Sequence, residues 1–453
     1  ENKHAGGHCA TKTIMGKGVV TEDGKQMAPN CDVHGKPLSK AGASYEKTIE
    51  SLGGDPDKPF EIFPEVKEYY EKVLREKRKR AERKKEIQSE WEKSNPKGTH
   101  KFNEFMSGKV PEIDYSAVEQ KAGAATRAAS GKVLAHFADN IENMIVASAD
   151  LSDSDKTNDF LNKTTAFKKG DFSGNFLQMG VSELTMAAVC NGIAAHGGIF
   201  VACGTFLVFS DYMKPAVRLS GLMELPVKYI WTHDAFRVGE DGPTHQPIEH
   251  EAQLRLLEQM KNHSGKNCIL VLRPADSSET TIAWKMAMEN NDTPSALLLS
   301  RQNIRELPGK NGASRYESAK EAEKGAYIIK DTDGQPDIIL VANGSEVSTL
   351  LEGAEKLEKE KQLKTRIVSA ISEGIFKEQS EHYQKQIIPD NVPVFGMTAG
   401  VPQTLVQMVG CKGKVFGVEH FGYSAPYNVL DEKFGFTADN VVKQVEEFLK
   451  TFK

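Results

Sequence analysis

Glu240, Asp241 and His245 fall within nine residues, Gly239 to Pro247, GEDGPTHQP. Carboxylates bind hydroxyls, and a histidine moves protons near neutral pH. The same stretch holds two glycines and two prolines, which are turn formers. Taken alone it reads either as a solvated turn or as the rim of a site. Its context narrows the choice. VKYIWTHD (227–234) is an apolar run that ends in His233 and Asp234, so His233, Asp241 and His245 are expected to share one rim. SALLLSR (295–301) ends in Arg301, and NMIVASAD (143–150) ends in Asp150. Buried parallel strands deliver functional groups at their carboxyl ends. Two histidines, two acids and an arginine at one sheet edge suit a polyhydroxylated, anionic ligand. Arginine and histidine bind phosphate, and aspartate binds hydroxyls. Any one of these residues alone is more simply a cap or a surface residue; the convergence argues for a site.

A second group lies in FLQMGVSELTMAAVCNGIAAHGG (176–198). Gly180 and Ser182 mark a helix entry, with Ser182 as N-cap. The interior from Met186 to Ala194 is small and apolar and is expected to be buried. Glu183 then falls in the first turn, where an acid complements the helix dipole. The alternative is a carboxyl in apolar surroundings that shares a proton with a ligand. The pattern alone favours the first. In GTFLVFSDY (204–212), Phe206, Phe209 and Tyr212 recur at a spacing of three, one face of a helix. Such a face is core or a stacking surface for a flat heterocycle, and spacing alone favours core. His34, in CDVHGKPL (31–38), precedes a glycine in a polar loop and is a surface residue or a phosphate contact. There is no HExxH, no Cys/His cluster, no EF-hand loop, no Walker loop and no GxGxxG after a strand. No metal site is expected from pattern, and nucleotide enzymes of those types are disfavoured.

The elements that must position these groups form an α/β pattern. A length of 453 residues allows about three domains. The balance of 39% hydrophobic and 27% charged residues supports ordinary cores. A net charge of −5 gives no global pull toward nucleic acid or an acidic membrane surface. No apolar run reaches a membrane span of about 18 residues, and the first ten residues, ENKHAGGHCA, lack the apolar segment of a signal peptide. Six dispersed cysteines without a C-x-x-C pair read as reduced thiols in a cytoplasmic protein. Residues 1–60 are Gly-, Lys- and polar-rich with one β-like piece, TKTIMGKGVV. A helix is expected from Pro64 to Lys93, its apolar positions Val66, Tyr70, Val73, Ala81, Ile87 and Trp91 at helical spacing. Its run REKRKRAERKK is interleaved with acids, as i,i+4 pairing on a solvated face requires. SNPKGTH breaks the helix, and 94–112 reads as a linker. Strand candidates then alternate with helical patterns: the runs at 143–150, 227–234 and 295–301, and NCILVLRPAD (267–276). A second linker covers 302–325. A second α/β set follows, with strand candidates in DIILVANGSEV, KTRIVSAIS, VPVFGMTAG and KVFGVEHFG. No internal repeat is present. The expected fold is two consecutive parallel-sheet α/β domains, 113–310 and 311–453, after a polar-rich stretch, charged helix and linker over 1–112.

GTFLVFSDY, THDAFRVGEDGPTHQP and LLLSRQN resemble, in order, the signature segments of the transketolase family. TIMGKG and CDVHGKPL resemble the end of that family's diphosphate-binding domain, and VEHFGYSAP its C-terminal domain. The likeness runs over about 12–453. It implies thiamine diphosphate as cofactor with Mg²⁺ or Ca²⁺, sugar phosphates as substrates, and a homodimer with the cofactor between subunits. It implies that Glu183 is the catalytic acid, bonded to a ring nitrogen of the aminopyrimidine, whose imino tautomer takes the proton from the thiazolium carbon. Phe206, Phe209 and Tyr212 would pocket the aminopyrimidine, and Asp150 would line the cofactor site. Arg127, Ser154, His233 and Arg301 would hold the sugar phosphate. Asp241 would bind a substrate hydroxyl, His245 would act at the reacting carbonyl and hydroxyl, and His34 would lie near both diphosphate and substrate. The resemblance thus reverses the ranking that pattern gave Glu183 and the aromatic face.

The implied activity is transfer of a two-carbon ketol unit from a ketose phosphate (xylulose 5-phosphate) to an aldose phosphate (ribose 5-phosphate), within the pentose phosphate pathway. Two departures stand out. Ser182-Glu183-Leu184 replaces the family's usual Arg-Glu-His. Arg237 stands where a small or apolar residue is usual, either reaching the substrate phosphate or facing solvent. The family also binds the diphosphate and its cation through a GDG motif followed by an Asn, and no GDG occurs here. The expectation is therefore a chain lacking most of the first domain, with the metal ligands in that part. The alternatives are a non-catalytic or partner-dependent chain, or a neighbouring thiamine enzyme such as deoxyxylulose-phosphate synthase or dihydroxyacetone synthase.

Overall fold

A computed structural model describes residues 20–25, 40 and 42–451. The chain divides into two compact units, one through Thr99 and one from His100. In the first unit, α1 (Pro64–Ser94) runs almost as the periodicity predicts. Pro64 starts it, because its missing N–H costs nothing at the first helical position. None of its residues is buried within the described structure.

The expected linker 94–112 is not one. A helix spans Pro96–Met106. Pro96, read as a breaker, starts this second helix as Pro64 starts the first. The linker expected over 302–325 is irregular only in its first part; a helix at Arg315–Ala319 and a 3-10 turn at Lys320–Lys324 follow. The piece TKTIMGKGVV and the His34 loop lie outside the described residues, apart from Val20.

The second unit contains two sheets. The first has six strands in the order β2-β1-β3-β4-β6-β5, all parallel. These are β1 (Met144–Ser148), β2 (Phe176–Gln178), β3 (Phe200–Phe206), β4 (Lys228–Thr232), β5 (Leu270–Leu272) and β6 (Ser295–Leu299). The second sheet orders β11-β10-β8-β9-β7. It comprises β7 (Tyr327–Lys330), β8 (Ile338–Ala342), β9 (Thr365–Ser369), β10 (Val394–Met397) and β11 (Lys414–Phe416). Its edge strand β7 runs antiparallel to β9, so this sheet is mixed rather than wholly parallel. The central runs read as strands, β4, β6 and β8, are buried on both faces, as parallel strands must be, while β11 at the edge is only half-buried.

Register sets the site. Ser148 pairs with Gly204, Phe206 with Thr232, and Thr232 with Leu299. The strand ends are therefore level, and the residues after them emerge at one edge. β2 follows β1 on one side and β3 lies on its other side, so the strand order reverses between β1 and β3. Open α/β sheets bind ligands in the crevice at such a switch point, beyond the carboxyl ends of the strands.

Two helical expectations change. α3 (Glu183–His196) is buried on one face only: Met186, Ala187 and Cys190 are inside, while Leu184, Ala188 and Val189 are exposed. A helix apolar all round, as this one is, signals burial, but this structure covers only half of it. Phe206, Phe209 and Tyr212 are not on one helix either, as described below. Helices α2 (Thr126–Asn140) and α4 (Ser210–Leu222) flank the same sheet. Among the described residues, no helix is long and apolar enough to cross a membrane.

Candidate active site

Two residues at this edge hold the left-handed backbone that side chains disfavour. Asp150, two residues after β1, has φ +64°, and His233, immediately after β4, has φ +61°. Such conformations persist only where the surroundings impose them, and they gather at functional sites. Asp150 is exposed at the switch crevice.

Phe206 is the last residue of β3, Phe209 closes a 3-10 turn (Leu207–Phe209), and Tyr212 lies in the first turn of α4. The spacing of three therefore spans three elements. The 3-10 turn nevertheless lines the rings up, because its side chains eclipse at i and i+3. Phe206 and Phe209 stack at 5.7 Å and 7°, and Tyr212 follows Phe209 at 6.2 Å. The Phe206 ring also stacks on His233 at 3.6 Å, a contact that no sequence spacing announces. Tyr212 is 63% exposed, so the ladder ends in an open aromatic face.

Glu183 opens α3 after β2, at the same edge. It is buried, 8% exposed, and accepts no hydrogen bond among the described residues. Ser182 sits at the N-cap position, but its hydroxyl donates to Met179 O at 2.7 Å instead of capping the helix. The expected side-chain cap is thus replaced: the left-handed Gly180 turns the chain so that the Ser182 hydroxyl meets that carbonyl.

The cationic group assembles through hydrogen bonds between α2 and the end of β6. Thr126 N donates to Ser300 Oγ at 3.0 Å, Ser300 N to Thr126 Oγ1 at 2.7 Å, and Arg127 N to Ser300 O at 3.4 Å. This lashing sets Arg127 beside Arg301. Arg127 donates to the Ser154 carbonyl at 2.7 Å, which leaves the Ser154 hydroxyl unpartnered among the described residues. Arg301 is half-buried and has no hydrogen bond or ion pair among the described residues. Burial, with Arg301 next, holds Arg127 below the usual arginine value. Burial also pushes His233 down to about 2, helped by Arg127, Arg301 and His245. His233 is therefore a neutral imidazole beside two arginines that form no ion pair among the described residues.

The turn 239–247 closes the edge. Gly239 and Gly242 have φ +90° and +75°, conformations suited to glycine. Asp241 is exposed and His245 is half-buried, its ring 5.5 Å from Phe209 and 6.4 Å from Phe206. Its Nδ1 lies 2.8 Å from Thr244 Oγ1. His233, His245 and the aromatic ladder thus share one site, with Arg127 and Arg301 beside it and Asp150, Glu183 and Asp241 at the same edge. His34 lies outside the described residues.

Arg237 does neither thing expected of it. It is 5% exposed and its guanidinium is taken up by Glu346 and Asp431, so it neither faces solvent nor stands free for a phosphate. Thr126 and Ser300, which seat the two arginines, also escaped the sequence reading. Neither belongs to a spacing pattern, and only the fold brings them together.

Three family models match the chain in order. The thiamine diphosphate binding domain of transketolase matches residues 2–111, its pyrimidine binding domain 122–306, and the transketolase-like C-terminal domain 325–437. The chain belongs to the transketolase family. It is 37% identical to the transketolase of Halalkalibacterium halodurans over 97% of its own length. It superposes on transketolase from Leishmania mexicana with a TM-score of 0.80 at 32% identity, covering 93% of this chain and 59% of that one. A Pichia stipitis transketolase mutant solved in complex with xylulose 5-phosphate gives 0.78 at 32% identity, covering 93% and 60%. The chain spans 63% of the length of the H. halodurans relative. Because the first-domain model matches 2–111, the loss of most of that domain, expected above, is not established.

Part of the family's cofactor suits the residues present. An open aromatic ladder beside a buried, unpartnered carboxyl fits a flat heterocycle with a ring nitrogen. No group of three or more His, Cys, Asp or Glu able to hold a metal occurs among the described residues, so none of them offers a site for the cation.

Proposed function

We propose that this chain carries the pyrimidine-binding and C-terminal parts (113–310 and 311–453) of a transketolase. The reaction is reversible transfer of a two-carbon ketol unit from xylulose 5-phosphate to ribose 5-phosphate. The observation that carries the reading is the pair Arg127 and Arg301. They are two cations set side by side that form no ion pair among the described residues, next to a histidine held neutral. Like charges left together in a partly dry site call for an anion.

When bound, thiamine diphosphate supplies the carbon nucleophile and the electron sink for breaking and making the C–C bond. The residues of this chain do the rest. Glu183, which accepts no hydrogen bond among the described residues, would hold the ring nitrogen with its carboxyl. Phe206, Phe209 and Tyr212 would stack the heterocycle, and Asp150 would border it. Arg127, Arg301, the Ser154 hydroxyl and neutral His233 anchor the sugar phosphate, fixing how far the sugar reaches along the edge. Asp241 accepts a substrate hydroxyl. His245, beside the ladder, gives and takes the proton at the reacting carbonyl oxygen. Side chains left exposed on α3 and before it (Val181, Leu184, Val189) favour a second copy seated there, and hence a homodimer. A reduced, cytoplasmic setting suits its free thiols.

The decisive assay is ketol transfer by the full protein that contains this chain, loaded with thiamine diphosphate and Mg²⁺. Sedoheptulose 7-phosphate should form from xylulose 5-phosphate and ribose 5-phosphate. Normal cofactor binding without transfer would refute the reading. A partner-dependent chain remains the second reading, because no described residue group offers a metal site. It predicts transfer only after a diphosphate-binding chain is added.

A further inference from the structure

The turn that carries Asp241 and His245 is held from outside its own sheet. Gln246 Nε2 donates to Gly239 O at 3.0 Å and to Tyr423 O at 2.9 Å. Ser424 Oγ donates to Glu240 O at 2.5 Å. Gly242 lies so close to Ser424 that an added Cβ would sit 3.2 Å from that side chain's own Cβ. A Cβ at Gly239 would lie 3.5 Å from Ala425 O. One face of the turn is thus moulded on residues 423–425, which follow the second sheet.

Arg237 extends this hold beneath the turn. It lies in a 3-10 turn, Phe236–Val238, two residues before Gly239. Its hydrogen bonds all reach the second-sheet part of the unit. Nη1 donates to Ser345 Oγ at 2.8 Å and to Glu346 Oε1 at 2.9 Å, and Nη2 to Thr349 Oγ1 at 3.5 Å. These partners sit at the start of α5 (Glu346–Lys361). Nε donates to Asp431 Oδ1 at 2.6 Å, on α6 (Tyr427–Phe434). The guanidinium also lies over the rings of Phe236 and Phe436, at 5.2 and 5.6 Å. Glu346 is completely buried and is shared with Arg273, which also binds Asp234, the neighbour of His233. Asp234 and Arg237, both just past the β4 end, are therefore tied to one buried carboxylate, Arg237 directly and Asp234 through Arg273. A planar guanidinium with donors on three nitrogens fixes both position and orientation; an ammonium would fix far less.

We propose that Arg237 is a positioning residue for His245 and Asp241, stapling their turn to α5 and α6. The proposal rests on the transketolase reading for its kinetic part only. The backbones of Arg127 and Arg301 are set by α2 and β6, and Arg301 meets this turn only at van der Waals range, its Nη1 3.9 Å from where a Cβ at Gly239 would lie. Loosening the turn should therefore spare sugar-phosphate binding and slow the chemistry.

The test uses the full protein containing this chain, with cofactor and Mg²⁺, as wild type, Arg237→Met and Arg237→Lys. Arg237→Met should lower kcat by about 10- to 100-fold, the scale of a misplacement of about 1 Å. KM for xylulose 5-phosphate should change less than about threefold. Arg237→Lys should recover part of kcat, because it keeps the charge but not the fork. Hydrogen exchange supplies a readout independent of activity: amides of 239–246 should exchange faster in Arg237→Met, while those of α2 stay unchanged. A wild-type kcat with only a lower Tm, or unchanged exchange in the turn, would overturn the proposal. If wild type lacks ketol transfer while the exchange result holds, the functional reading fails and the staple stands. If Arg237→Met does not fold, Arg237→Lys decides by the same two measurements.

Discussion

Replacing Arg301 by Gln tests the anion site most directly. Arg301 has no protein partner to lose among the described residues, so the substitution should leave folding almost unchanged. Its consequence falls on the bound phosphate. A hydrogen bond to a charged group contributes about 1.5–3 kcal/mol. At about 1.4 kcal/mol per factor of ten, kcat/KM for xylulose 5-phosphate should fall about 10- to 150-fold. Most of the loss should appear in KM, because the anchor grips substrate and transition state alike. The neighbouring groups set the pH behaviour. Burial is the first cause of the low His233 value, ahead of Arg127 and Arg301. Removing one cation moves His233 upward from about 2 but leaves it neutral at pH 7 to 8, so the defect should be flat with pH there. The control is unphosphorylated xylulose as donor, on which Arg301→Gln should have no more than about a twofold effect. An equal loss with both donors would place Arg301 at the reacting centre or in the fold, and would refute the phosphate assignment.

Three further outcomes follow from the same geometry. Glu183→Gln should lower kcat by about 10²–10⁴-fold, the usual range for a proton-transfer group. Its stability should move by less than about 0.5 kcal/mol, since no hydrogen bond among the described residues is broken; near-normal turnover would return Glu183 to a helix-dipole role. Asp155 is buried and accepts from Ser148 Oγ, Thr157 N and Thr157 Oγ1, yet burial raises it from 3.8 to about 6. An acid raised on folding holds its proton more tightly when folded, so its contribution is present below about pH 3.8 and is lost as pH rises through about 6. Urea unfolding of Asp155→Asn should lack this slope, worth about 3 kcal/mol across the window; an unchanged slope would show the shift lies elsewhere. Gly242→Ala forces a side chain into left-handed backbone, at about 1–2 kcal/mol, and against Ser424. It should lower kcat along with Tm, and a fully active variant would show that the turn need not sit where it does.

How much of this was legible in the sequence depended on the range of the information. Strands buried on both faces announce themselves as apolar runs, so eight of the eleven strands lie within segments read from sequence. Their polar endings, His233, Asp150 and Arg301, mark the functional edge for the same reason. β3 escaped because its last residue, Phe206, runs straight into a 3-10 turn, and a spacing of three then imitates a helix. β2 is too short to carry a pattern, and β7 is an edge strand next to a segment read as a linker. α3 misled in the opposite direction: composition records that a helix is apolar all round, but not which surface the rest of the chain covers. The site chemistry needed pairings that no local window contains. Thr126 meets Ser300 across 174 positions, and Arg237 meets Asp431 across 194. An arginine in the turn reads alone as a phosphate ligand or a solvent-facing charge. Only with Glu346 and Asp431 placed against it does burial become affordable, because a buried guanidinium requires neutralising, hydrogen-bonded carboxylates. The substitution that looked like a departure within the turn is therefore the visible half of a longer-range arrangement, whose other half lies in α5 and α6.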